Sequence, residues 1–210
     1  MPSRPEPSPH FSMIRGFQLA DFFTLGNAAC GVAAVLMAMR YLGSRQVGDL
    51  LTAAAFAPAA FAFDVLDGRI ARWRQTSSAL GRELDSLADV ISFGVAPAAI
   101  AYGAGMHGLW DVVVLAYFVC CGVSRLARFN ITAETLAAGG AKVRYFEGTP
   151  IPTSLVLVAL VAIAAWAGRL GAELPIGAVR VGPGDLHPLT LLWAVSGSLM
   201  ISKTLRIPKL

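Results

Sequence analysis

Four aspartates, Asp64, Asp67, Asp85 and Asp89, lie in the stretch "DVLDGRIARWRQTSSALGRELDSLAD" of an otherwise strongly apolar chain. Asp64 and Asp67 are three residues apart, and Asp85 and Asp89 are four apart. On helices each spacing puts both carboxylates on one face. The polar link around "RQTSS" is short, so the two helices are expected to run antiparallel with their acidic faces meeting; Ser77 or Ser78 could cap the second of them. Four converging carboxylates repel one another and resist desolvation. Arg69, Arg72 and Arg82 could neutralise part of that charge. A divalent cation does it better, because hard cations prefer oxygen ligands and Mg²⁺ usually leaves positions open for substrate phosphates. Two ions about 3.5–4 Å apart could share these ligands and clamp a transferring phosphoryl group. The plainer alternative is a set of helix-end aspartates paired with arginines, which is the reading for Asp49 and Asp111. For the set of four, intramembrane carboxylates in register favour a functional site. Gly68 follows Asp67 directly and Gly81 sits one turn before Asp85. Glycine inside a helix costs up to ~1 kcal/mol relative to alanine, and its usual benefit is close approach of a backbone or ligand. Ala71 shares a face with Gly68, which leaves room for a flat group such as a nucleotide base.

These residues must be held by apolar elements. Of 210 residues, 56% are hydrophobic and 14% charged, and the mean hydropathy is +0.63, which places the chain in the membrane class. Six apolar segments can be marked, at about 17–42, 47–73, 81–104, 109–130, 151–168 and 187–203. Each is near the ~17–25 residues needed to cross the hydrocarbon core. Close-set Gly and Ala in "GNAACGVAA" and "AAAFAPAAFAF" permit tight helix contact in lipid. The expected fold is therefore all-α: a polytopic integral membrane protein, a bundle of six transmembrane helices. Residues 1–16, polar and rich in Pro and Ser, read as a flexible cytoplasmic tail rather than a signal peptide, and residues 17–210 as one membrane domain. With the N-terminus inside, thirteen of the 17 Lys and Arg fall on the inner side, including Arg4, Arg15, Lys142, Arg144, Lys203 and Lys209. Only Arg40, Arg45, Arg169 and Arg180 fall outside. The positive-inside rule then puts both ends and the four aspartates at the cytoplasmic face of the cell membrane.

The pattern Asp64-x-x-Asp67-Gly68-x-x-Ala71-Arg72, eight residues, Gly81-x-x-x-Asp85-x-x-x-Asp89 resembles the full signature of the CDP-alcohol phosphatidyltransferases. The resemblance implies six membrane helices, a homodimer and a cytoplasm-facing metal site. It makes Asp64, Asp67 and Asp85 ligands of Mg²⁺ or Mn²⁺, two ions in all. It makes Asp89 the base that deprotonates the acceptor alcohol, with contact to metal as well. Gly68, Ala71, Arg72 and Gly81, together with Asp64 and Asp67, would line the CDP site. "FTLGNAACG", "DSLADVISFGVAPA", "SRLARFN" and "GTPIPTS" look like the CDP-diacylglycerol–serine O-phosphatidyltransferases within that family. "TLGN" resembles the first-helix segment that borders the nucleotide, so Thr24 and Asn27 are candidate CDP contacts. Their alternative is plain helix packing.

The expected reaction is CDP-diacylglycerol plus L-serine giving phosphatidylserine and CMP, by direct attack of the serine hydroxyl. No Cys, Ser or His at the cluster suggests a covalent nucleophile. Arg125 and Arg128, three apart at the cytoplasmic end of the fourth segment, are candidates to hold the serine carboxylate through an arginine fork. Another acceptor (glycerol phosphate, inositol phosphate or choline) is the alternative within the same chemistry, and a divalent-cation transporter is the alternative outside it. Membrane lipid is an expected partner and nucleic acid is not. Cys30, Cys120 and Cys121 read as small buried hydrophobes. His10, His107 and His187 read as solvent or interface residues.

Overall fold

A computed structural model describes residues 19–74, 79–138, 145–202 and 206–208. The N-terminal tail, the proposed caps Ser77 and Ser78, and Lys142, Arg144, Lys203 and Lys209 lie outside the described residues. The chain is mostly helical. Helix α1 spans Leu19–Ser44, α2 Val47–Arg74 and α3 Ala79–Asp89. A π-helical stretch, Val90–Val95, joins α3 to α4, Ala96–Ala104. Helix α5 spans Leu109–Ala138, α6 Ser154–Trp166 and α7 Leu191–Ile201. Single 3₁₀ turns at Ile151–Thr153 and Pro188–Thr190 lead into α6 and α7. Four three-residue strands, β1 Tyr145–Glu147, β2 Val179–Val181, β3 Gly184–Leu186 and β4 Arg206–Pro208, form two antiparallel pairs, β1 with β4 and β2 with β3.

Four helical stretches, Leu19–Ser44, Val47–Trp73, Leu80–Ala104 and Leu109–Thr132, are long and apolar enough to cross a membrane. The apolar helices Ile151–Trp166 and Pro188–Ile201 are shorter. At about 1.5 Å per residue they reach roughly 24 and 21 Å, against ~30 Å of hydrocarbon. The boundaries are set locally. Gly168 turns with a positive φ of 73° just after α6, and Pro188 opens the turn before α7.

The packing is that of a protein in lipid. Small residues fill the interior: Ala34, Ala38, Ala53, Ala57, Ala60, Ala96, Ala101 and Ala104 are all buried. Many large apolar side chains point outward, including Phe22, Leu36, Met39, Val113, Val156 and Ile163. In water such exposure would be a liability; in lipid it carries no penalty, and small interior residues let helices approach closely. One such close approach is at Gly31 on α1, where a Cβ would come within 2.8 Å of the Ser92 Cα.

On the side away from the aspartates, the structure corrects two readings. Asp111 is fully buried and pairs with no arginine among the described residues. It accepts from the Gly108 N–H at 2.9 Å, the His187 N–H at 2.8 Å and the Thr190 hydroxyl at 2.8 Å, and its Oδ2 lies 2.6 Å from the His187 ring. His187 is accordingly a buried partner, 7% exposed, and not a solvent residue. A buried carboxylate must be saturated with donors, and this one ties the start of α5 to the turn ahead of α7. The β2–β3 hairpin, absent from the all-helical expectation, covers the same region: the Trp110 indole donates to the Val181 carbonyl at 2.8 Å. Asp49 behaves as read, 3.4 Å from Arg40. Of the cysteines only Cys121 is buried; Cys120 is exposed and Cys30 half-buried.

Candidate active site

Helix α2 carries Asp64 and Asp67, and α3 carries Asp85 and Asp89. Helix α1 packs across both. One carboxylate oxygen each from Asp64, Asp67 and Asp85 lies within 4.8 Å of the others. The i, i+3 spacing on α2 and the crossing of α3 bring these atoms together, as the sequence expects. Asp89, one turn beyond Asp85, stands beside this group within electrostatic reach of Asp64 and Asp85. Asp67 and Asp89 are buried, at 6% and 8% exposure, while Asp64 and Asp85 are half-buried.

The residues fit a divalent cation. Three carboxylates supply the hard oxygen donors such an ion requires. Asp85 Oδ1 is buried and has no hydrogen-bond partner among the described residues. A buried carboxylate oxygen left without a donor is costly, and a cation satisfies it. Gly68 adds space: a Cβ there would meet only the Arg72 guanidinium, at 3.7 Å and beyond. Among the described residues nothing in the packing requires glycine at that position.

Helix α1 holds two of the carboxylates in place. The Thr24 hydroxyl donates to Asp67 Oδ2 at 2.8 Å, with the Ala20 carbonyl at 3.2 Å as its other acceptor. The Asn27 side-chain amide donates to Asp89 Oδ1 at 3.2 Å. Both residues were expected beside a nucleotide; their hydrogen-bond donors turn toward the aspartates. Asn27 is itself fixed from behind, because its carbonyl accepts from the Ser92 hydroxyl at 2.8 Å. Ser92 sits in the π-helical stretch directly after Asp89, and such π segments often mark functional positions. On the other side of α3, Ser86 and Asn130 hydrogen-bond at 2.9 Å and tie α3 to α5.

The remaining expected residues fall in different places. Ala71 and Gly81 are half-buried on the α2 and α3 surfaces near the aspartates, and Arg72 is exposed. Arg125 and Arg128 separate. Arg125 is half-buried within electrostatic reach of Asp89, and its Nε is buried with no hydrogen-bond partner among the described residues. Arg128 donates to the Ile201 carbonyl at 3.3 Å, at the end of α7. Ser92, Ser86, Asn130 and the buried Asp21, which lies within electrostatic reach of Asp67, were not anticipated. Asp21 precedes Thr24 and Asn27 by three and six residues, so the helical period was the one available signal.

A helical membrane protein with an aspartate cluster of this signature defines a class, and comparison with known sequences agrees. Residues 17–195 match the CDP-alcohol phosphatidyltransferase family, and the chain belongs to it. Among curated relatives, the CDP-diacylglycerol–serine O-phosphatidyltransferase of Saccharomyces cerevisiae is 42% identical over 203 residues, covering 95% of this chain and 74% of the yeast protein. The protein of the same description from Helicobacter pylori strain 26695 is 40% identical over 142 residues, 67% of this chain and 55% of its own length. An archaetidylserine synthase from Methanothermobacter thermautotrophicus is 34% identical over 166 residues, 78% of this chain and 65% of its own length.

Proposed function

We propose that this protein transfers the phosphatidyl group of CDP-diacylglycerol to L-serine, giving phosphatidylserine and CMP. The observation that carries this reading is the meeting of Asp64, Asp67 and Asp85 within 4.8 Å, with Asp89 held beside them. The three ligands would hold Mg²⁺ or Mn²⁺, and a pair of ions is the preferred number. When bound, the metal neutralises the pyrophosphate and stabilises the departing CMP.

The chain's own residues do the rest. Thr24 fixes Asp67 so that its remaining oxygen is available as a ligand. The space beside Gly68 and the surface of Ala71, Arg72 and Gly81 receive the cytidine nucleotide. Asn27 occupies one oxygen of Asp89, which leaves the other to take the proton from the serine hydroxyl. The serine oxygen forms a bond to the phosphatidyl phosphorus as the bond from that phosphorus to the CMP oxygen breaks. Arg125, the arginine next to Asp89, receives the serine carboxylate, while Arg128 anchors α7. No phosphatidyl-enzyme forms.

In this reading α6 and α7 complete a six-helix bundle, residues 17–210 form the membrane domain, and residues 1–16 form a cytoplasmic tail. Both ends and the aspartates face the cytoplasm of the cell membrane, and the protein works as a homodimer. The relatives' names support serine as the acceptor. The test is to incubate purified protein with CDP-diacylglycerol, Mg²⁺ and a panel of alcohols (serine, glycerol phosphate, inositol phosphate and choline) and to identify the lipid product. Phosphatidylserine alone is expected. A different phospholipid overturns the serine reading, and metal flux in liposomes without CMP release overturns the transferase reading.

A further inference from the structure

Asp89 has two neighbours, Asn27 on α1 and Arg125 on α5, and each carries a buried polar atom with no hydrogen-bond partner among the described residues. The Asn27 side chain is fully buried. A carboxylate oxygen only accepts, so the amide NH₂ of Asn27 faces Asp89 and its Oδ1 faces away. That Oδ1 has no hydrogen-bond partner among the described residues. Arg125, within electrostatic reach of Asp89, has its Nε–H buried and equally without a partner among the described residues. The first atom is an acceptor and the second a donor. The third unpartnered atom here, Asp85 Oδ1, belongs to the cation ligands. Buried polar atoms left open cost free energy unless a ligand or water meets them. An acceptor and a donor near one base match a molecule that carries a hydroxymethyl, an ammonium and a carboxylate on one carbon.

We propose that Asn27 is a specificity-determining residue, whose Oδ1 accepts a hydrogen bond from the ammonium of an amino-acid acceptor while its NH₂ holds Asp89 against the acceptor's hydroxyl. This rests on serine being the acceptor and adds how its amino group is recognised. Ser92 sets the aim, because its hydroxyl bond to the Asn27 carbonyl fixes the backbone from which the amide projects. The same side chain thus couples recognition to the base: an acceptor lacking the ammonium leaves Oδ1 unpaired. A site built around a polar group discriminates strongly against ligands that lack it.

The test uses the full chain in proteoliposomes with CDP-diacylglycerol and Mg²⁺. Three acceptors are compared by kcat/KM: L-serine, 3-hydroxypropionate, which lacks the ammonium, and ethanolamine, which lacks the carboxylate. A hydrogen bond to a charged group corresponds to about ten- to a hundredfold, so the wild-type protein should prefer serine to 3-hydroxypropionate by that factor. Asn27→Ala should collapse this ratio to about threefold or less and leave the ratio of serine to ethanolamine less affected. Asn27→Ser, a smaller change, should reduce the same ratio and serves if Asn27→Ala does not fold. If both variants slow all three acceptors by one common factor, Asn27 only positions Asp89 and the inference is wrong. A wild-type protein that takes no serine overturns the acceptor reading and this inference together. One that takes serine, with a ratio unmoved by either variant, overturns this inference alone.

Discussion

The hydroxyl of Thr24 donates to Asp67 Oδ2 across 2.8 Å, joining the first helix to a carboxylate 43 residues further along the chain. This bond holds one oxygen of a proposed cation ligand in a fixed direction, and outer contacts of this kind tune metal affinity. Thr24→Val keeps the shape and removes the donor. The Mg²⁺ concentration for half-maximal activity should rise about tenfold or more, and Thr24→Ser should restore it. An unchanged Mg²⁺ titration in Thr24→Val would show that Asp67 needs no such support.

The roles proposed for Asp67 and Asp89 differ, and the same substitution should separate them. Asp89→Asn keeps the shape and loses basicity. It should retain most CDP-diacylglycerol binding while turnover falls by about 10²–10⁴-fold, the usual scale of general-base catalysis. Asp67→Asn should lose both, because it removes a ligand. Binding is read by nucleotide titration and turnover by CMP release. Near wild-type turnover in Asp89→Asn would remove Asp89 from the reaction.

The contact between Gly31 and Ser92 sets how closely α1 approaches the stretch after Asp89. A Cβ at Gly31 would come within 2.8 Å of the Ser92 Cα. Gly31→Val should therefore force the helices apart and cost about 1–3 kcal/mol, the range for overpacking. It should also lengthen the Ser92–Asn27 and Asn27–Asp89 bonds that cross the same interface. A lower Tm in detergent together with a lower kcat is expected. Full activity and an unchanged Tm would mean that α1 can shift freely.

The Asp111 cluster should behave oppositely, affecting stability without touching the substrates. Asp111→Ala leaves the Thr190 hydroxyl, the His187 ring and two backbone N–H groups without their acceptor. Each buried unsatisfied group costs about 1–3 kcal/mol. The Tm should fall sharply while the KM for serine in the surviving fraction stays constant. A changed serine KM with normal stability would tie this end of the protein to the reaction.

Some of this was legible in the sequence and some was not, for reasons of distance along the chain. Asp64, Asp67, Asp85 and Asp89 announce themselves because i, i+3 and i, i+4 spacings place side chains on one helix face. Their partners Thr24 and Asn27 could be marked as interesting, but which carboxylate each one meets depends on how α1 crosses α2 and α3. Spacing says nothing about a crossing. The same limit hid Asp111 and His187, 76 residues apart, where each alone looks like an ordinary helix-end polar residue. The π-helical stretch Val90–Val95 reads as a plain apolar run. Hydropathy also ran the last two segments through the single 3₁₀ turns that precede α6 and α7, which it does not distinguish from α-helix.

The central claim is a metal-dependent phosphatidyl transfer to serine at the four aspartates. Its most direct measurement follows isotopically labelled serine and CMP together, in purified protein given CDP-diacylglycerol. Labelled phosphatidylserine and CMP should appear in equal amounts, only when serine is present, with loss of both after EDTA and return of both on adding Mg²⁺ or Mn²⁺. CMP release without serine, or labelled lipid formed at full rate after exhaustive chelation, would contradict it.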